Sequence, residues 1–439
     1  MTKPAVELDA DASGGRAVSG RNGRRAGIAG GVGTMIEGYD NSIYAYMAVF
    51  LAPVFFPSED SVASLLSTLL VFAVAYIARP FGGVLFGFIG DRVSRRTALM
   101  TTLLLMGGAS TIIGVLPSHA TIGPFAAVLL VVLRVVQGMS VGGEVAGAAT
   151  VVSEAAPEGK RGRYGALNPF GATMGFALAS ATAGTVTFLT TDEQMQSWAW
   201  RIPFLLALPL TVACWFLRRS LVEQHSEKKE REAGAKAPFF QVFRDEPGGL
   251  AKAVGLSLAV NGTAYFGLTY LSIHLIQRLG YEKTPVYWTL TLVVAGAALL
   301  MLPIGRLADR IGLAPTAIIG LVGYLVLTYP ALILMENGAF ALVAVGLVMV
   351  MINTSFLQVA GYTSIPELFP ADIRYTGTAL GWNIGVVISG GTAPALAVWL
   401  IEATGSNRAP AFFVMLCAVV GLASAFAILR GTRKVENPT

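Results

Sequence analysis

The stretch FGFIGDRVSRR runs from Phe86 to Arg96. It begins as apolar, membrane-like sequence and ends on Asp91, Arg92, Arg95 and Arg96. IGRLADRIG, from Ile304 to Gly312, repeats its core, so that Gly87, Asp91 and Arg92 align with Gly305, Asp309 and Arg310. The copies lie 218 residues apart in a chain of 439 residues. An offset of half the chain points to an internal duplication, with a charged turn at the same place in each half.

The composition says where such turns lie. The chain is 54% hydrophobic and 13% charged, against about 25% charged for a soluble protein. Apolar runs of ~20 residues, long enough to cross a bilayer, recur along the whole length. No alternating runs of ~10 residues suggest a membrane β-barrel. Cys214 and Cys417 fall inside apolar runs and read as packing residues. His119, His225 and His274 are scattered and show no metal-ligand spacing.

Hydropathy predicts an all-α membrane protein of twelve spans, near 26–53, 62–90, 97–117, 121–152, 164–189, 199–217, 251–277, 286–306, 314–335, 339–364, 374–402 and 409–430. Residues 1–25 read as a disordered basic tail rather than a signal peptide, and 431–439 as a second tail. The polar segment 218–250, with EKKEREAGAK, reads as a linker between the six-span bundles 26–217 and 251–430. With the N-terminus inside, 25 of the 31 Lys and Arg residues fall on inner segments or at the inner ends of spans. That asymmetry predicts cytoplasmic termini. It accounts for the net charge of +5 without nucleic acid, and it puts both charged turns on the cytoplasmic side. A looser pair supports the duplication: SEAAPEGKRGRYG (153–165) after span 4 and IPELFPADIRYTG (365–377) after span 10.

GFIGDRVSRR resembles the loop motif G-x-x-x-D-R-x-G-R-R of the major facilitator superfamily, with Ser94 in place of its second glycine. RVVQGMSVGGE (134–144) resembles the fourth-helix motif R-x-x-Q-G. Together with EGYD, ARPFGGVLFGFIGDR, WAWRIPF and IPELFPADIRYTG, these motifs resemble the metabolite:H⁺ symporter family over nearly the whole chain. That family includes proline/betaine, α-ketoglutarate, citrate and shikimate permeases. The resemblance implies two six-helix bundles around a central cavity, alternating access and a place in a bacterial inner membrane. It implies a small-molecule substrate, protons and lipid as partners, a functional monomer and no cofactor. It also gives the charged turns a role. Asp91, at a helix end, can accept hydrogen bonds from exposed amides of a neighbouring helix and pair with arginine, and Asp309 occupies the matching position. Gly87, Asp91, Arg92, Gly305, Asp309 and Arg310 would then form a cytoplasmic gate; marking the inner side is the alternative for the arginines.

Ionisable residues inside spans cost roughly 2.5–3.5 kcal/mol each on insertion scales, and are functional candidates for that reason. They are Glu37, Asp40, Arg79, Arg134 and Glu144. Glu37, Asp40 and Tyr44 share a helical face, as do Arg134, Gln137, Val141 and Glu144. Asp40 with Arg134 is the expected proton-coupling pair, by resemblance to the carboxylate–arginine couple of proton symporters. Burial and a nearby arginine act oppositely on a carboxyl's proton affinity, so opening the pair would change it. A static pair of neutralised charges is the alternative. Glu37 is assigned to coupling or to substrate, and Glu144 to coupling or to a helix contact. Arg79, before Pro80, is either an anion hook or a brace for carbonyls freed by the proline. Tyr44, Gln137, Asn261, Tyr265, Asn353, Gln358, Trp382 and Asn383 are candidate substrate contacts.

GIAGGVGT (27–34) lies in a span after a basic tail, so its glycines read as close helix contacts rather than a dinucleotide loop. No Walker-A lysine and no catalytic constellation appear. The expectation is a proton-driven importer of a small polar metabolite. An organic acid is the first choice because of Arg79 and Arg134; a zwitterion such as proline or betaine and a drug exporter are the alternatives. A non-transporting sensor would not need the intramembrane acids.

Overall fold

The computed structural model describes residues 12–92, 95–142, 156–157, 159–222, 239–370 and 373–436, and side chains chiefly within 31–86, 100–142, 159–216, 241–370 and 373–430. The principal helices are α1 Ala12–Phe55, α2 Ser61–Arg92, α3 Arg95–Val115 and α4 Phe125–Val141. Next come α5 Arg161–Leu189 and α6 Ala199–Phe216. α7 runs over Pro247–Tyr265 and continues through π-helical turns at Phe266–Tyr270 and His274–Arg278. α8 Lys283–Ile311, α9 Leu313–Glu336, α10 Phe340–Glu367, α11 Arg374–Thr404 and α12 Pro410–Glu436 complete the second half. Twelve helices in two bundles are thus the architecture, and among the described residues eight are long and apolar enough by themselves to cross a bilayer.

Two boundaries differ from the reading by hydropathy. α1 begins at Ala12, so part of the expected tail is helical. Extending an existing helix costs far less than nucleating one, and its Ala and Arg residues are good helix formers. α7 begins at Pro247 rather than 251, with proline in the first turn where its missing N–H costs nothing. A short helix, Phe239–Asp245, lies within the expected linker.

Small residues set the helix spacing. A Cβ on Gly138 or Gly82 would overlap the backbone of Ala75 or Met139, so α2 and α4 touch backbone to backbone. A Cβ on Gly38 would overlap the Ala172 carbonyl, which holds α1 equally close to α5. Side-chain burial between lipid-facing helices gains little over lipid itself, so close van der Waals packing does this work.

The halves are joined at both ends. At the end where α6 closes and α7 opens, Asp309 Oδ1 accepts from the amides of Gly162 at 2.7 Å and Arg163 at 3.3 Å. Arg161 pairs with Glu367 beside them at 3.0 Å. At the opposite end Lys283 pairs with Asp192 at 2.6 Å. There Tyr46 Oη donates to the Leu268 carbonyl at 2.6 Å and Tyr287 Oη to the Tyr46 carbonyl at 2.7 Å. Ser180 Oγ donates to the Tyr287 carbonyl at 2.8 Å. The interior thus lies between two tied ends.

Candidate functional site

Two polar clusters occupy that interior, and α1 serves both. Its expected single stripe divides. Asp40 and Tyr44, four apart, turn toward α3 and α4; Thr34, Glu37 and Asn41 line a cavity between the halves.

In the first cluster Asp40 is held by two donors. Ser110 Oγ of α3 donates to Oδ1, and Gln137 Nε2 of α4 donates to Oδ2 at 3.1 Å. The Gln137 Oε1 in turn accepts from Arg134 Nη1 at 3.0 Å. Gln137 also donates to Ser110. Arg134 and Asp40 therefore share an amide instead of making a direct ion pair. The guanidinium sits 4.3 Å from the centre of the Tyr44 ring and 5.5 Å from that of Phe72, which partly replaces its lost hydration. Arg134 is 1% exposed and its Nε has no hydrogen-bond partner. Tyr44 Oη is occupied, donating to the Thr68 carbonyl at 3.1 Å.

The second cluster is the cavity. The first half contributes Thr34, Glu37, Gly38, Asn41, Arg79, Asn168, Ala172 and Phe176, and the second half Asn261, Tyr265, Tyr362 and Trp382. Room for water centres is about 40 Å³, or roughly three waters at ~10–15 Å³ each. A solute thus enters only when the helices part. Arg79 stacks 4.0 Å from the centre of the Tyr76 ring, and its Nη2 donates to Asn41 Oδ1 at 3.0 Å. Glu37 lies within electrostatic reach of Arg79 and Tyr362. The second half supplies an aromatic wall in which Tyr362 and Trp382 meet at 4.4 Å between ring centres. Tyr265 crosses the seam to pack on Tyr76 at 5.3 Å and Phe176 at 5.9 Å. Asn261 Nδ2 is taken by Ser257, at 2.9 Å to its carbonyl and 3.1 Å to its Oγ.

Other expected residues lie elsewhere. Asn353 Nδ2 donates to Met349, and its side chain fills the space beside Gly323 of α9. Gln358 is buried outside the cavity lining, with Oε1 lacking a partner. Asn383 reaches across the seam to the Gly142 carbonyl at 3.2 Å. Gly305 faces Gly162, where a Cβ would stand 2.7 Å from the Gly162 oxygen. Arg310 is exposed. Glu144, the surroundings of Gly87 and the side chains of Asp91 and Arg92 lie outside what is described.

Asn41, Ser110, Asn168 and Tyr362 belong to these clusters and are not singled out by the sequence. Asn41 sits one residue, about 100° of helix, from Asp40, so the pattern built on Asp40 passes it by. Tyr76 was within reach of sequence reasoning, being one turn before Arg79. Ser110 and Asn168 stand among small residues, and nothing local marks them. Among the described residues no cluster of His, Cys, Asp and Glu could hold a metal ion.

Residues 28–241 match the family model described as Sugar (and other) transporter, and residues 253–439 that of the Major Facilitator Superfamily. The proline/betaine transporter of Escherichia coli (strain K12) is 34% identical over 410 residues, covering 91% of this chain and 82% of that protein. The glycine betaine/proline/ectoine/pipecolic acid transporter OusA of Dickeya dadantii matches to the same extent, 34% over 410 residues with 91% and 82% covered. Among solved structures, the proton:xylose symporter XylE bound to 6-bromo-6-deoxy-D-glucose superposes with a TM-score of 0.71 at 16% identity, covering 94% of this chain and 96% of that one. The partially occluded inward-open xylose transporter XylE from E. coli superposes with a TM-score of 0.69 at 17% identity, covering 93% and 98%.

Proposed function

This chain belongs to the major facilitator superfamily, among the metabolite:H⁺ symporters, and from that premise we propose that it imports a small zwitterionic solute of the proline or betaine kind together with protons. The observation that carries the reading is a cavity holding both signs of charge. Arg79 faces it from α2 and Glu37 from α1, with Tyr265, Tyr362 and Trp382 as an aromatic wall. A solute with a carboxylate at one end and an ammonium at the other meets a partner for each, and a ring face attracts the cation further. An organic acid, the first expectation, would use Arg79 but bring a second negative charge beside Glu37. The relatives favour the zwitterion as well: those compared are transporters of proline and betaines.

Transport follows from the two tied ends. Breaking the Asp309 end opens the cavity to one side, and breaking the Tyr46–Tyr287 end opens it to the other. Asp40 is the proton carrier in this reading. Ser110 and Gln137 donate to its carboxylate, and a proton on Asp40 costs it one of these bonds and loosens the link to Arg134. The Lys and Arg distribution supports cytoplasmic termini, which makes the Asp309 end the inner one. The unit is a monomer in a bacterial inner membrane.

The test is uptake of labelled proline and glycine betaine into proteoliposomes with an imposed inward proton gradient. Accumulation that collapses with a protonophore is the expected result. Accumulation of citrate or α-ketoglutarate, with neither zwitterion taken up, would replace the zwitterion by the organic acid.

A further inference from the structure

Two buried donors in the cavity lack partners. Arg79 Nε and Asn168 Nδ2 make no hydrogen bond, although Arg79 is 4% and Asn168 5% exposed. The other polar groups there differ. Arg79 Nη2 is spent on Asn41, and Asn261 Nδ2 on Ser257. Buried N–H groups without partners are costly, and they persist where water or a ligand completes them. The two donors come from different helices, α2 and α5, and both residues line one cavity. What completes both at once is an acceptor with two oxygens and negative charge.

We infer that Asn168 is a specificity-determining residue that, with Arg79, forms the carboxylate-binding pole of the cavity, leaving Glu37 and the Tyr362–Trp382 corner to the cationic end. The inference rests on the zwitterion reading for the identity of the second pole, and on the two donors alone for the first. The position of Asn168 is built into the helix packing. Asn168 lies near the start of α5, where Gly171 and Gly175 let α1 approach closely. Thr34 Oγ1 reaches the Asn168 carbonyl at 3.5 Å, tying this turn to the Glu37 helix. Asn168 is thus held at the cavity wall by helix packing. An amide complements Arg79 in a useful way. It donates to a carboxylate without adding a second full positive charge, so an aliphatic dianion gains little over a monoanion.

The experiment uses the full chain in nanodiscs. Glycine betaine is the carboxylate probe, and choline, which keeps the trimethylammonium group and lacks the carboxylate, is its counterpart. Asn168→Leu removes the donors at similar size, and Asn168→Asp replaces them with a repelling charge. Asn168→Leu should weaken glycine betaine about 10-fold or more, the worth of a hydrogen bond to a charged group. Choline binding should stay within about twofold. Asn168→Asp should weaken glycine betaine further and strengthen choline. Thermal melting of each variant separates binding from folding, and Asn168→Ala, which also lacks the donors, serves if leucine fails to fold. Equal losses for glycine betaine and choline, or no loss for either, would overturn the assignment and leave Asn168 holding water. If the unsubstituted protein binds neither compound, the zwitterion reading fails instead. The same variants are then compared on succinate and succinamide, where a loss confined to succinate keeps the carboxylate pole and any other result removes it.

Discussion

Asp40 and Arg134 are linked through the single amide of Gln137, which donates to Asp40 Oδ2 at 3.1 Å and accepts from Arg134 Nη1 at 3.0 Å. The carboxylate is thus held by neutral donors, with the guanidinium one amide behind. In a low-dielectric interior, a relay of this kind lets the acid gain or lose a proton without tearing apart an ion pair.

Asp40→Asn should abolish accumulation driven by a proton gradient and leave solute exchange in place. Gln137→Leu should weaken accumulation while sparing part of it, since Ser110 still reaches Asp40. Counterflow, which needs no net proton movement, checks the distinction. Gradient-driven accumulation at the normal level in Asp40→Asn would take Asp40 out of the mechanism.

Arg79→Gln should weaken a carboxylate-bearing solute roughly 10- to 150-fold, the range for a charge-assisted hydrogen bond. Arg79→Lys should restore only part of this. Lysine carries the charge but lacks the planar fork and stacks poorly on the Tyr76 ring. Isothermal titration against a carboxylate and its neutral amide measures the difference. An equal loss for both solutes would make Arg79 a brace for the helix around Pro80.

Asp309→Asn should favour opening at its own end of the seam. The carboxylate accepts two amides at the start of α5, where the helix dipole adds about 0.3–1 kcal/mol to a negative charge. Losing that charge shifts the access equilibrium by about two- to fivefold. Single cysteines placed on either side of the cavity, labelled with membrane-impermeant thiol reagents, report which end opens. Unchanged labelling and unchanged turnover would reduce Asp309 to a marker of topology.

Tyr46→Phe and Tyr287→Phe should act in the opposite direction. Each removes one hydroxyl that closes the other end and leaves a buried carbonyl, of Leu268 or Tyr46, without that donor. The cost is about 1–3 kcal/mol per group. The same labelling assay should show the far end opening and the Asp309 end closing. Movement in the same direction as Asp309→Asn would show that the two ends are not reciprocal.

Between them, hydropathy, the repeated G-x-x-x-D-R turn and the Lys and Arg distribution determined twelve spans, their pairing into halves and an expected orientation. Such features are legible because a bilayer requires runs of ~20 apolar residues and internally satisfied backbone, and that demand is local. Charge inside a span is equally conspicuous, so Glu37, Asp40, Arg79 and Arg134 stood out. The repeat also marked Asp309, whose carboxylate accepts the Gly162 and Arg163 amides. Only the tertiary structure decided how these groups are shared out. It split α1 into a face for Asp40 and a face for Glu37, set Gln137 between Asp40 and Arg134, and sent Asn353 toward Gly323 of α9. It also brought Asn168, Tyr265 and Tyr362 from three helices and both halves to one cavity. The difference is physical. Membrane insertion is decided one segment at a time, whereas the direction a polar side chain faces depends on the rotation and closeness of helices far apart in the chain, and here glycine contacts such as Gly38 against Ala172 set both.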